Sequence, residues 1–412
     1  MRSFFTAMYV FLVLFITPLF SQTPTLKPNA ATIQDVNWAG TLYAGSLGPI
    51  IPTIGLSADA LSSAFYLKSD VAKYKSGIDA LHARGMKYWM NIDFTVPEIS
   101  PNKIVADGQG ITDTLFGASY DFDGTLVHGL GGGYERNPGR PAWRNYIIEC
   151  MKRGIDAGAD GSQSDGGGGL FHLSFDSDDL QAFKDYVTAN SINTADWNPA
   201  AQTYLAYLKS KGFTKAQMDF NLNDEGSYGT GSPPLARQWI QFKASQILKA
   251  WKNISDSAKA YAQTKGKDFT ILTNNPSFGF ITGFATFNID YSGGEYFDWE
   301  NASRYPLFGS TTVIHKLIQS LGKRHTLWTS PTDDGGGAKW NTQQQIETNL
   351  HAVVEAYASG GLAGMGYPQQ ITSPTFLLIQ KQRDVLNKMN PYGEVGIFFS
   401  YANSMEVLLP ID

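Results

Sequence analysis

Along residues 141–157 the apolar side chains Trp143, Ile147, Met151 and Ile155 return every four positions, with polar residues between them. That spacing predicts an amphipathic helix, and Pro141 stands in the first turn, where a helix tolerates proline. Three further stretches carry the same period. They are marked by Tyr74, Ile78 and Leu81 ahead of Gly85, by Leu235, Trp239 and Phe242 behind Pro233 and Pro234, and by Ile346, Leu350, Val353 and Tyr357. Gly85 is placed to cap the first of these. Between the helical runs lie short apolar stretches bounded by turn residues, as strands are. Eight are found, at 38–45, 86–94, 124–129, 158–165, 269–275, 289–297, 325–331 and 361–368.

Strand and helix alternating through one chain predict an α/β fold, a (β/α)8 TIM barrel over residues 23–393. A doubly wound open sheet is the other arrangement of such a pattern, but no G-x-G-x-x-G follows the first strand run. Residues 394–412 read as a short C-terminal β extension. At the other end, Arg2 precedes the apolar run MYVFLVLFITPLF, residues 8–20, which is short for a membrane span. Residues 1–22 therefore read as a cleaved secretory signal, and the expected location is secreted or periplasmic, with no membrane attachment after cleavage.

Composition narrows the chemistry. The only cysteine is Cys150, which excludes an intrachain disulfide and a cysteine-based zinc site. Six histidines without an H-E-x-x-H pair give no histidine metal centre, and no metal or other cofactor is expected. A net charge of −5 argues against nucleic acid as a partner. The 9 Trp and 20 Tyr suit a cleft that stacks on sugar rings, although most aromatics in any protein belong to the core.

In barrels of this kind the reacting groups sit at the carboxy-terminal ends of the strands. Reading those ends gives Asn91 and Asp93, Asp165, Asn274 and Asn275, Glu295, Trp328 with Asp333 and Asp334 beyond it, and Tyr367. Asp165 immediately precedes four glycines, which remove side-chain bulk where a substrate ring must approach; the plainer reading is a turn followed by a slack loop. Strand alternation puts Gln163 on the face of Asp165, and Trp89 and Asn91 on that of Asp93. Glu295 lies between Gly293–Gly294 and Tyr296–Phe297, a partly apolar setting that favours the protonated carboxyl. Asp160 and Asp123 read as turn residues, and Glu225 as a solvated loop acid. Asp333 is taken as a substrate contact, since Asp333 and Asp334 lack the spaced ligands of a calcium site.

The segment NPGRPAWRNYIIECMKRGIDAGADGSQSDGGG, residues 137–168, resembles a stretch of several retaining glycoside hydrolases in which N-P…W-R-x-Y and a helix lead into D-G-x-x-x-D. LTNNPSFG and IDYSGGEYFDWE follow in the order found in dextranase-like family 66 enzymes. The resemblance implies Asp165 as nucleophile at the end of the fourth strand and Glu295 as acid/base. It departs from the family by lacking the usual β domains, and from the galactosidase-like clan by lacking that clan's Asn-Glu pair.

The expected function is cleavage of O-glycosidic bonds in an oligosaccharide or polysaccharide by two carboxylates, through retention. Asn91, Asp93, Gln163 and Asn275 would hold hydroxyls, and Trp328, Tyr296 and Trp340 would stack on rings. Two other classes remain open. One is a carbohydrate-binding barrel without catalysis. The other is a polysaccharide lyase using Tyr or His bases, with Arg136, Arg140 or Arg304 holding a uronate.

Overall fold

The computed structural model describes residues 64–83, 88–95, 97, 99–128, 133–164, 174–218, 233–274, 291–295, 312, 315–316, 324–329, 342–359 and 362–365. Its elements are, in chain order, α1 (Asp70–His82), β1 (Trp89–Asn91), α2 (Pro101–Ala106), α3 (Pro141–Ala157) and β2 (Gly161–Ser164). Then come α4 (Ser177–Ala189), α5 (Tyr204–Ser210), α6 (Lys215–Met218), α7 (Ala236–Thr264) and β3 (Thr270–Asn274). The series ends with β4 (Tyr291–Glu295), β5 (Arg324–Thr329), α8 (Thr342–Ala358) and β6 (Leu362–Met365).

Local rules explain the helices. Pro141 opens α3 and Gly158 closes it at a φ of 115°, a left-handed conformation that side chains resist. The four apolar residues of the sequence pattern all lie on its buried face. Gly154 is there for close approach, because a Cβ at that position would collide with the sulfur of Met90 on β1. Asp176 caps α4, its carboxylate accepting from the N–H groups of Asp178 and Asp179. Helix α7, 29 residues long, packs against α3 and α4 and buries Trp239, Phe242, Trp251 and Ile254. Phe183 joins α4 to that face, in ring contact with Trp197, Tyr204, Trp239 and Phe242.

All six strands are parallel, and their spatial order is their sequence order, β1 to β6. A doubly wound sheet reverses direction partway, so this order is that of a sheet wound one way, as in β/α barrels. Six of the expected strands are present. The run 38–45 lies outside the described residues, as do residues 1–22 and 394–412.

The run 124–129 is a correction. Its described residues, 124–128, do not enter the sheet, and β1 pairs directly with β2. The chain turns back at Asp121, whose carboxylate accepts from the N–H groups of Asp123 and Thr125 and from the Thr125 hydroxyl. Leu126 then bridges Tyr120, and His128 bridges Tyr134, as one arm of a local antiparallel ribbon. Leu126 and Val127 are half-buried there. The strand leading into Asp165 therefore follows directly on the strand carrying Asn91, one place earlier than expected.

Among the described residues no helix is long and apolar enough to cross a membrane.

Candidate functional site

Because the strands are parallel, their carboxy-terminal ends form one edge. Asn91, Ser164, Asn274, Glu295, Thr329 and Met365 are the last strand residues along it. Asn91 stands in register with Gln163, Gln163 with Leu272, and Leu272 with Tyr291; Asn274 pairs with Gly293, and Glu295 with Trp328. Register partners and every second residue share a face. Positions 91, 163, 274, 295 and 328 thus belong to one face of the sheet. It is the face away from α3, since the adjacent Met90 meets that helix.

Of the residues singled out in the sequence, Asn91, Gln163, Glu295 and Trp328 lie on strands of this sheet, and Asp93 follows β1 by two residues. Asp165, Asn275, Tyr296, Asp333 and Trp340 lie outside the described residues, as does Glu225. Asn274, not named as a substrate contact, is the Asn position that shares the face of Asn91.

The end of β1 is held from several sides. Asp93 Oδ1 accepts from the Thr95 N–H at 2.6 Å and from the Thr95 hydroxyl at 2.9 Å. The Trp143 indole donates to the Phe94 carbonyl, and the Arg136 N–H donates to the Thr95 carbonyl, each at 2.6 Å. Asp93 therefore commits one oxygen to its own turn. Beside it, Asn91 Oδ1 is buried with no hydrogen-bond partner among the described residues. A buried amide oxygen without a donor carries a desolvation penalty that a ligand hydroxyl would relieve.

Behind this edge lies a charged network with no motif in the sequence. Lys243 of α7 donates to Asp179 of α4. Asn137 donates to both Asp176 and Asp179, at 3.1 and 2.8 Å, and the Ser174 hydroxyl donates to Asp176 at 2.7 Å. Asp176, Asp179 and Lys243 are only 4–5% exposed, so their charges are taken almost wholly from water. Burial pushes the Asp179 carboxyl above its ordinary range, an effect that Lys243 only partly opposes. Burial acts the same way on Asp176, but Lys243, Ser174, the Asp179 N–H and Asn137 together hold it below the usual range. The local signal legible in advance was Asp176-Ser-Asp-Asp ahead of an apolar run, an N-cap pattern.

This network backs a narrow cleft of about 10 Å³, lined by Thr95, Ser119, Glu135, Ser174, Lys243 and Gln246 among others. Among the described residues, no three His, Cys, Asp or Glu side chains group as metal ligands would.

Other polar residues are structural. Arg136 spends its terminal nitrogens on the carbonyls of Phe116 and Thr114 while lying over the rings of Phe116 and Trp143. Arg140 is held by Asp178 and the Ala118 carbonyl. Two of the three arginines open to a uronate are thus engaged elsewhere, and Arg304 lies outside the described residues. Asp160 is more than a turn residue. At the opposite edge of the sheet it accepts from the Tyr88 N–H at 2.9 Å and meets His82 at 2.8 Å.

No protein-family model and no curated sequence matches the chain. Solved structures do. The polyextremophilic β-galactosidase of the Antarctic haloarchaeon Halorubrum lacusprofundi is similar at a TM-score of 0.50 and 13% identity, over 84% of this chain and 56% of that one. The fold is one that glycoside hydrolases use. A β-galactosidase from Bacillus circulans sp. alkalophilus aligns at 0.48 and 12% identity, over 76% of this chain and 46% of its own. An α-amylase from Geobacillus thermoleovorans aligns at 0.43 and 10%, over 79% and 65%. The chain spans about half the length of the two β-galactosidases. At such identities the likeness concerns fold alone.

Proposed function

We propose that the protein is a secreted glycoside hydrolase that cleaves O-glycosidic bonds in an oligosaccharide or polysaccharide with retention of configuration. The observation that carries this reading is the edge of the sheet. Amide and carboxylate positions from β1, β2, β3 and β4 fall on one face at its carboxy-terminal end, where β/α barrels hold their chemistry. The barrel is taken as closed around the six parallel strands.

In this reading Asp165, the next position of the Gln163 face beyond β2, attacks the anomeric carbon. The C–O bond to the leaving sugar breaks as Glu295 delivers its proton to the departing oxygen. Glu295 then takes a proton from water, which attacks the glycosyl ester and frees Asp165. Asn91, Asp93, Gln163 and Asn275 hold substrate hydroxyls. Trp328, Tyr296 and Trp340 supply flat faces for rings, and Asp333 contacts the substrate.

The test is reducing-sugar release from a panel of polysaccharides by the wild-type protein and by Asp165→Ala and Glu295→Ala. Release by the wild type that both variants lose supports the reading. Full activity in either folded variant removes that residue from the mechanism, and an ultraviolet-absorbing unsaturated product replaces hydrolysis with elimination.

A further inference from the structure

The cleft beside β1 is built from four parts of the chain that meet at the carboxy-terminal edge. Thr95 follows β1 and holds Asp93, Ser119 and Glu135 come from the ribbon, Ser174 precedes α4, and Lys243 and Gln246 lie near the start of α7. Its volume, about 10 Å³, admits roughly one water-sized group and no sugar ring. The walls are fixed by the Lys243–Asp179–Asn137–Asp176 network, so the cleft does not depend on a ligand to stay open. Within it the Ser119 hydroxyl and the Gln246 amide make no side-chain hydrogen bond to another described residue.

We propose that this cleft is a specificity pocket for one exocyclic hydroxyl, the hydroxymethyl oxygen of a hexose unit. The proposal rests on the glycoside hydrolase reading and names the class of sugar that it takes. Two features select a hydroxyl. The space fits one oxygen-sized group. Ser119 and Gln246 offer both a donor and an acceptor, which a hydroxyl satisfies together. A pentose, which lacks the hydroxymethyl arm, leaves those polar groups without their partner.

The experiment compares kcat/KM on paired aryl glycosides, glucoside with xyloside and galactoside with arabinopyranoside. The wild-type protein should favour the hexoside of the pair it accepts. Ser119→Val, which fills the cleft, should cut the hexoside-to-pentoside ratio tenfold or more, and Gln246→Leu should cut it in the same direction. Melting curves establish that both variants fold. An unchanged ratio in two folded variants overturns the proposal, as does a wild-type preference for the pentoside. If the wild type hydrolyses no member of the panel, the glycosidase reading fails by itself, and the cleft is then tested by calorimetric titration with the matching methyl glycosides. Tighter binding of the hexoside, abolished by Ser119→Val, keeps the proposal. Equal affinity, or no binding, overturns it.

Discussion

At the amino-terminal edge of the sheet Asp160 is committed twice, to the Tyr88 N–H and to His82, and so ties β2 to β1 and to the end of α1. At the carboxy-terminal edge, about three residues along the neighbouring strand, Asn91 Oδ1 is buried and has no partner among the described residues. The two edges belong to the same strands and differ by only a few residues along them. One spends Asp160 on joining β1, β2 and α1. The other leaves the Asn91 amide oxygen without a hydrogen-bond partner among the described residues.

Substitutions at the two edges should separate stability from activity. The largest effect belongs to Asp165→Ala, which should abolish turnover on every substrate. Azide should then restore cleavage of an activated glycoside and give a glycosyl azide of inverted configuration, read by proton NMR. Glu295→Ala should lose about 10²–10⁴-fold on natural glycans. It should keep more of its first-step rate on an aryl glycoside whose leaving group needs no proton, as burst kinetics would show.

Behind the edge, Lys243→Met leaves two buried carboxylates without their cation and should cost about 3–5 kcal/mol in denaturant unfolding. Asp176→Ala removes a cap and should cost about 1–2 kcal/mol at neutral pH. The folded protein holds the Asp176 carboxyl below its ordinary range. Its contribution is therefore present above the unfolded pKa and is lost as pH falls through the lower folded value. The gap in Tm between wild type and Asp176→Ala should shrink on acidification, and a gap that widens would contradict the assignment.

The smallest effect is expected at the amino-terminal edge. Asp160→Asn should lower stability by about 1 kcal/mol and leave kcat/KM unchanged. A loss of activity there beyond the loss of folded protein would break the contrast between the edges.

What the sequence revealed follows the range of each interaction. Helix α3 was legible from its period and its proline, because both act within a few residues. The strand 124–129 was misread because a short apolar run bounded by glycines does not say which neighbour it pairs with. The choice of a local partner was made by the Asp121–Thr125 turn. Asn274 shares the face of Asn91, whereas Asn275 lies outside the described residues. The Asn137–Asp176–Asp179–Lys243 network joins residues 39 to 64 positions apart and follows no spacing rule, so only the fold assembles it.

The most direct test of the account is to trap the intermediate. The protein is incubated with a panel of 2-deoxy-2-fluoro glycosides carrying activated leaving groups, digested, and mapped by mass spectrometry. The account predicts one glycosyl adduct, on the peptide that carries Asp165, absent from Asp165→Ala. An adduct on any other carboxylate, or hydrolysis of the parent glycosides that persists in Asp165→Ala, would contradict it.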